Sequence, residues 1–146
     1  MSDTDHTPPI TGRCYCGAST ISANALPSAI AYCHCTDCRR VTGAPVSAFA
    51  AFDASAVTIS SAVLQKVTAN PGVTRTFCGN CGSPLAGSYD YLPDQTYISL
   101  GLLDQIDVLS PQIHAHDEAR PEWLCIKDDL PRFSSSSRDK LKEKSS

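Results

Sequence analysis

In the stretch Cys33-His34-Cys35-Thr36-Asp37-Cys38, three thiols fall within six residues and are followed at once by Arg39 and Arg40. The thiolate is both the metal-ligand form and the nucleophilic form of cysteine, so such a cluster binds a soft metal or performs thiol chemistry. Side chains alternate faces along an extended segment, which points Cys33 and Cys35 one way and His34 the other. A turn at Cys38 can then bring a third sulfur to the same point. Three ligands are one short of a tetrahedron, and that shortfall is the main constraint on what the chain can do.

Two further motifs surround this cluster. Gly12-Arg13-Cys14-Tyr15-Cys16-Gly17 places two thiols on one face by the same alternation, with glycines that permit a tight bend around a metal. Cys78-Gly79-Asn80-Cys81-Gly82 has the spacing of a zinc knuckle, in which turn N–H groups can donate to the sulfurs. Together the three motifs hold seven of the eight cysteines. The partition most economical in chemistry gives Cys14, Cys16, Cys78 and Cys81 to one ion as a closed structural site. Cys33, Cys35 and Cys38 then take a second ion with one position open. His34, His114, His116 and Cys125 are the alternatives for closing it; alternation disfavours His34, and Cys125 reads better as a small buried residue. Arg39 and Arg40 can offset thiolate charge or hold a substrate carboxylate.

The reading of so many cysteines depends on the compartment. Residues 1–10 carry no apolar signal-peptide core, and no apolar run approaches the ~20 residues that span a bilayer. The expectation is a cytoplasmic protein with no membrane partner, in which thiols serve as ligands or reactive groups rather than as disulfides. A net charge of −3, made more negative by zinc-bound thiolates, lacks the basic footprint of a nucleic-acid binder.

With 146 residues, 42% of them hydrophobic, the chain is sized for one domain with a normal core. Residues 1–10 read as a disordered lead-in, 11–133 as the folded domain and 134–146 as a flexible polar tail. Short β-branched runs separated by turn residues, Asn70-Pro71-Gly72 the clearest, predict strands. They are expected at residues 19–23, 29–32, 46–52, 57–59, 63–68, 73–77, 85–91, 96–100, 113–116 and 123–126. Thr36 to Thr42 reads as a short helix ended by Gly43 and Pro45, and Gly101 to Asp104 as a turn. The fold class is mainly β: a small zinc-binding domain of twisted antiparallel sheets with one short helical turn.

Three segments resemble the glutathione-dependent formaldehyde-activating enzyme family, which also includes centromere protein V. They are Gly12-x-Cys14-x-Cys16-Gly17, Cys33-His34-Cys35-x-x-Cys38-Arg39-Arg40-x-Thr42-Gly43 and Phe77-Cys78-x-x-Cys81-Gly82-Ser83. The later Gly101-Leu102-Leu103-Asp104, His114 and Trp123-x-x-Ile126-x-Asp128-Asp129-Leu130-Pro131-x-Phe133 follow in the same order. The resemblance implies a β-sandwich-like fold and two zinc ions, a structural one on Cys14, Cys16, Cys78 and Cys81 and a second on Cys33, Cys35 and Cys38. It also implies glutathione as co-substrate with formaldehyde, in a carbon–sulfur lyase reaction. The function expected is therefore a zinc-dependent enzyme acting on a small thiol adduct. The alternatives are a non-catalytic zinc-stabilised binding module and, less favoured, a redox-active thiol protein.

Overall fold

The computed structural model describes residues 9–134. The expected tail beyond Ser134 and the lead-in before Pro9 lie outside the described residues, and Ile10 already opens the first strand. A three-stranded sheet is formed by β1 (Ile10–Arg13), β2 (Ser19–Ala23) and β5 (Val57–Ser61), in the order β1-β2-β5. A seven-stranded sheet contains β3 (Ala29–Cys33), β4 (Ser47–Asp53), β6 (Leu64–Asn70), β7 (Val73–Cys78), β8 (Pro84–Tyr89), β9 (Leu92–Ser99) and β10 (Ile113–Ala115). Its order is β10-β3-β4-β9-β8-β7-β6. The mainly β, antiparallel expectation holds, with one exception: β10 lies parallel to β3, matching Ile113 to Ala31 and Ala115 to Cys33.

The period-2 pattern of the central strands divides the large sheet into two faces with different tasks. One face carries Ile30, Ala50, Phe52, Ala86 and Ile98, which pack with Ile10, Ile21 and Ala23 of the small sheet into the core. Phe52 and Ile98 are fully buried there, and truncating such a phenylalanine to alanine costs about 3–5 kcal/mol. The opposite face is lined by small residues. Ala29 pairs with Ala51, Ala51 with Tyr97, Tyr97 with Gly87 and Gly87 with Arg75, a single row across five strands. Alanine and glycine in that row leave a hollow where the other face is filled.

Helix α1 (Thr36–Thr42) forms where expected. Cys35 caps its start, its Sγ accepting the Cys38 N–H at 3.2 Å, and Gly43 ends it in the left-handed region at φ 74°, donating its N–H to the Arg39 carbonyl. No strand forms over 123–126. Its backbone carbonyls are taken by arginine side chains instead: Arg120 Nη1 donates to Leu124 O and Arg132 Nη2 to Ile126 O, each at 2.8 Å, while Trp123 stays 72% exposed. Beyond it, the chain returns beside β10, with the His114 N–H donating to Pro131 O and the Phe133 N–H to His114 O. Among the described residues, no helix is long and apolar enough to cross a membrane.

Candidate functional site

The four-cysteine cluster is built from two turns. β1 ends at Arg13, and the Gly17 N–H returns to the Cys14 carbonyl at 3.2 Å, with Gly17 at φ 84°. The Gly82 N–H returns to the Cys78 carbonyl at 2.8 Å in the same way. The turn, rather than strand alternation, brings Cys14 and Cys16 together, which is why one is buried and the other exposed. The Sγ atoms of Cys14 and Cys16 are 3.7 Å apart and those of Cys16 and Cys78 3.8 Å. A tetrahedron with Zn–S bonds of 2.3 Å has edges of about 3.8 Å, so this donor set fits zinc in both chemistry and spacing. Backbone N–H groups of Ser19, Ala18 and Asn80 donate to Cys14, Cys16 and Cys78, each at 3.4 Å. The Ser83 hydroxyl and N–H hold the Cys81 thiol down to about 5. Such donors favour thiolates, the form a metal requires.

The three-cysteine cluster forms at the junction of β3, the Cys35 cap and α1. Cys33 Sγ lies 3.4 Å from Cys35 Sγ and 3.1 Å from Cys38 Sγ. These sulfurs lie closer together than that tetrahedral edge. Hydrogen bonds from Cys33 and Cys38 hold Cys35 far below the ordinary thiol range, while the same contacts and burial push Cys33 up. Three soft donors at one point suit zinc. Among the described residues, no fourth histidine, cysteine or acidic ligand atom lies within 4.8 Å of all three.

The cluster opens into a cavity of about 240 Å³ on the small-residue face of the large sheet. Beside the three sulfurs, its wall carries Phe49, Arg75, Tyr89, Tyr91, Tyr97 and His116. Burial pushes the Tyr89 and Tyr97 phenols well above their usual range, which keeps them protonated. Arg39 and Arg40, in the last turn of α1, do not line the cavity. His114 and His116, two residues apart in the strand expected at 113–116, are separated because β10 ends at Ala115 and His116 adopts a left-handed φ of 56°. Cys125, expected to be buried, is exposed and joins neither cluster.

His34 points away from the sulfurs, as alternation predicts, and enters a buried polar chain. Its Nε2 lies 2.9 Å from His114 Nδ1, and His114 Nε2 lies 2.9 Å from Asp128 Oδ2. The carboxylate can only accept, so in neutral rings His114 donates through Nε2 and His34 donates to His114 Nδ1. Burial, with the neighbouring imidazole, pushes His34 below its ordinary value, consistent with a neutral ring. Arg132 pairs with Asp117 at 2.9 Å and with Asp128 at 3.2 Å, and Arg120 with Asp117 at 3.5 Å. His34, His114 and Asp117 are close enough to hold an ion, but the 2.9 Å imidazole contact and two guanidinium groups on Asp117 describe a hydrogen-bonded network.

The sequence reading missed this network and the arginine–tyrosine wall. The available signals were the lone cation in the Val73–Cys78 strand, the spacing Tyr89-x-Tyr91, and Asp128 inside the late motif. A family described as glutathione-dependent formaldehyde-activating enzyme matches residues 9–119. No curated protein matches the chain. A solved Rhodobacter sphaeroides protein is similar in fold, with a TM-score of 0.58 and 19% identity, over 84% of this chain and 99% of that one.

Proposed function

Because this chain belongs to the glutathione-dependent formaldehyde-activating enzyme family, we propose that it is a zinc-dependent enzyme of carbon–sulfur lyase type acting on a small thiol adduct. Glutathione with formaldehyde is the reference pair. The observation that carries this reading is the meeting of three sulfurs on a cavity wall with no fourth protein ligand among the described residues. Cys33, Cys35 and Cys38 would hold the zinc used for chemistry, and Cys14, Cys16, Cys78 and Cys81 a structural one. Bound at the first set, zinc supplies a lowered pKa for a thiol in the open position.

The chain's own residues do the rest. Phe49, Tyr91 and Tyr97 give the cavity an aromatic wall beside the three sulfurs. In adduct formation the sulfur attacks the aldehyde carbon, a C–S bond forms and the carbonyl π bond breaks. The proton lost by the thiol ends on the new hydroxyl oxygen, and the reverse splits the adduct. Tyr89 accepts a hydrogen bond from Arg75 at 3.2 Å, leaving its own proton free to donate to that oxygen, and Tyr97 is a second neutral donor. His116 is the imidazole of the lining and can take up and return the proton. Arg39 and Arg40, outside the lining, serve this reading as offsets to thiolate charge.

The test is a panel of thiols and aldehydes on zinc-replete protein, with adducts followed by NMR and metal counted per chain. The expected result is about two zinc per chain and an acceleration of about 10²-fold or more for at least one pair. A single zinc per chain with no turnover would sink the reading. Cobalt-substituted protein whose spectrum ignores added thiol would favour a non-catalytic, zinc-stabilised binding module instead.

A further inference from the structure

We propose that Arg75 is the anion-recognition residue of the cavity, so that the thiol partner carries a carboxylate held by this guanidinium while its sulfur faces Cys33, Cys35 and Cys38. The inference rests on reading the cavity as a thiol-adduct site and names the chemistry of its ligand.

Arg75 stands apart from the other arginines around the site. Arg120 and Arg132 are spent on Asp117 and Asp128. Arg75, half-buried on β7, has no ion pair with a carboxylate among the described residues. Its contacts are the Tyr89 phenol, which accepts from Nη1 at 3.2 Å, and the face of the same ring, 5.5 Å from the guanidinium carbon. It is the one lysine or arginine in the cavity lining, whose sole carboxylate is Asp37. A guanidinium keeps five donors in a fixed fork, and a tyrosine that holds one end orients the remainder.

The sheet has kept space for this arrangement. Gly87 pairs with Arg75 on one side and Tyr97 on the other. A Cβ at 87 would stand 3.1 Å from Arg75 Nη1 and 3.2 Å from Tyr89 Oη, so a larger residue would press on the pair and narrow the hollow. A half-buried, preoriented guanidinium without an acidic partner suits a bidentate carboxylate. The cavity volume of about 240 Å³ falls below the ~300 Å³ at which pockets for drug-sized ligands begin, which favours a compact molecule for the enclosed part. The carboxylate could belong to a small mercapto acid or to one end of glutathione.

A competing role for Arg75 is to offset thiolate charge, since its cation acts on Cys38. Binding measurements separate the two. Titration calorimetry on the zinc-replete full chain would compare 3-mercaptopropionate with its neutral amide, then propionate and glutathione, in wild type, Arg75→Gln and Arg75→Lys. Wild type is expected to prefer the acid over the amide by about tenfold or more. Arg75→Gln should erase that preference by weakening the acid alone, and Arg75→Lys should retain only part of it. If Arg75→Gln does not fold, the partial loss in Arg75→Lys carries the test. Equal weakening of acid and amide, or an intact preference, overturns the proposal. Propionate bound by wild type and lost in Arg75→Gln upholds Arg75 as the anion-recognition residue even if no thiol turns over, a result that would defeat the lyase reading alone. An equal loss for glutathione supports a peptide carboxylate at Arg75; an unchanged glutathione affinity with loss of mercaptopropionate supports the small acid.

Discussion

The four-cysteine cluster draws on two turns some sixty residues apart in sequence, and backbone N–H groups of Ser19, Ala18 and Asn80 already point at its sulfurs. Cys14 and Cys78 belong to the core itself. The three-cysteine cluster comes from one short segment, β3 into α1, and faces a cavity walled by tyrosines and arginine. The first joins distant parts of the chain and is closed. The second ties together little of the chain, and its three sulfurs face the cavity. What differs is not the thiol but how much of the fold depends on each set.

The largest expected effect breaks this comparison if it fails. Cys78→Ser should abolish cooperative unfolding, because structural zinc in small domains contributes about 10–16 kcal/mol of apparent binding free energy that is also folding free energy. Cys38→Ser should lose one metal and all turnover while a cooperative thermal transition survives. Thermal unfolding with metal counting reads both. Equal collapse of the two variants would show that both clusters are structural.

A smaller effect concerns the polar chain behind the second cluster. Asp128→Ala removes the acceptor that fixes the His114 tautomer, and His114→Ala leaves His34 without its partner. Each is expected to cost about 1–3 kcal/mol in urea unfolding, the range for leaving a buried polar group unsatisfied. Zinc at the four-cysteine cluster should be retained in both. A loss there would mean that the two regions are coupled.

The smallest effect is on acid stability. The His114 hydrogen bond holds the Asp128 carboxyl below its usual range, and the Arg132 contact holds Asp117 down against burial. A depressed carboxyl stabilises the fold in full above its unfolded pKa, about 3.9, and that contribution is lost as pH falls through the folded value. Wild type should therefore lose more stability below about pH 4 than Arg132→Gln, whose carboxyls lie nearer their unfolded values. Parallel acid curves for the two proteins would remove Arg132 from the account.

Much of the fold was readable along the chain because strand and turn signals are local. The runs at 19–23, 29–32 and 73–77, the helix at 36–42 and the turn at Asn70-Pro71-Gly72 all follow from β-branched residues, capping and glycine. The segment 123–126 was misread because Arg120 and Arg132, not a neighbouring strand, take its carbonyls. Cys125 was misplaced for the same reason. A residue's burial depends on what packs over it, and Cys125 is exposed.

By itself the sequence determined which cysteines sit together within each motif, while the meeting of Cys14 and Cys16 with Cys78 and Cys81 rested on economy of ligands and is made by the fold. It also determined that His34 would turn away from Cys33 and Cys35. Only the tertiary structure decided what surrounds the open position. Arg75, Tyr89, Tyr97 and His116 come from separate strands and a loop, and meet because of cross-strand register and the bend at His116. Register is a property of pairing between distant segments, and no local pattern encodes it.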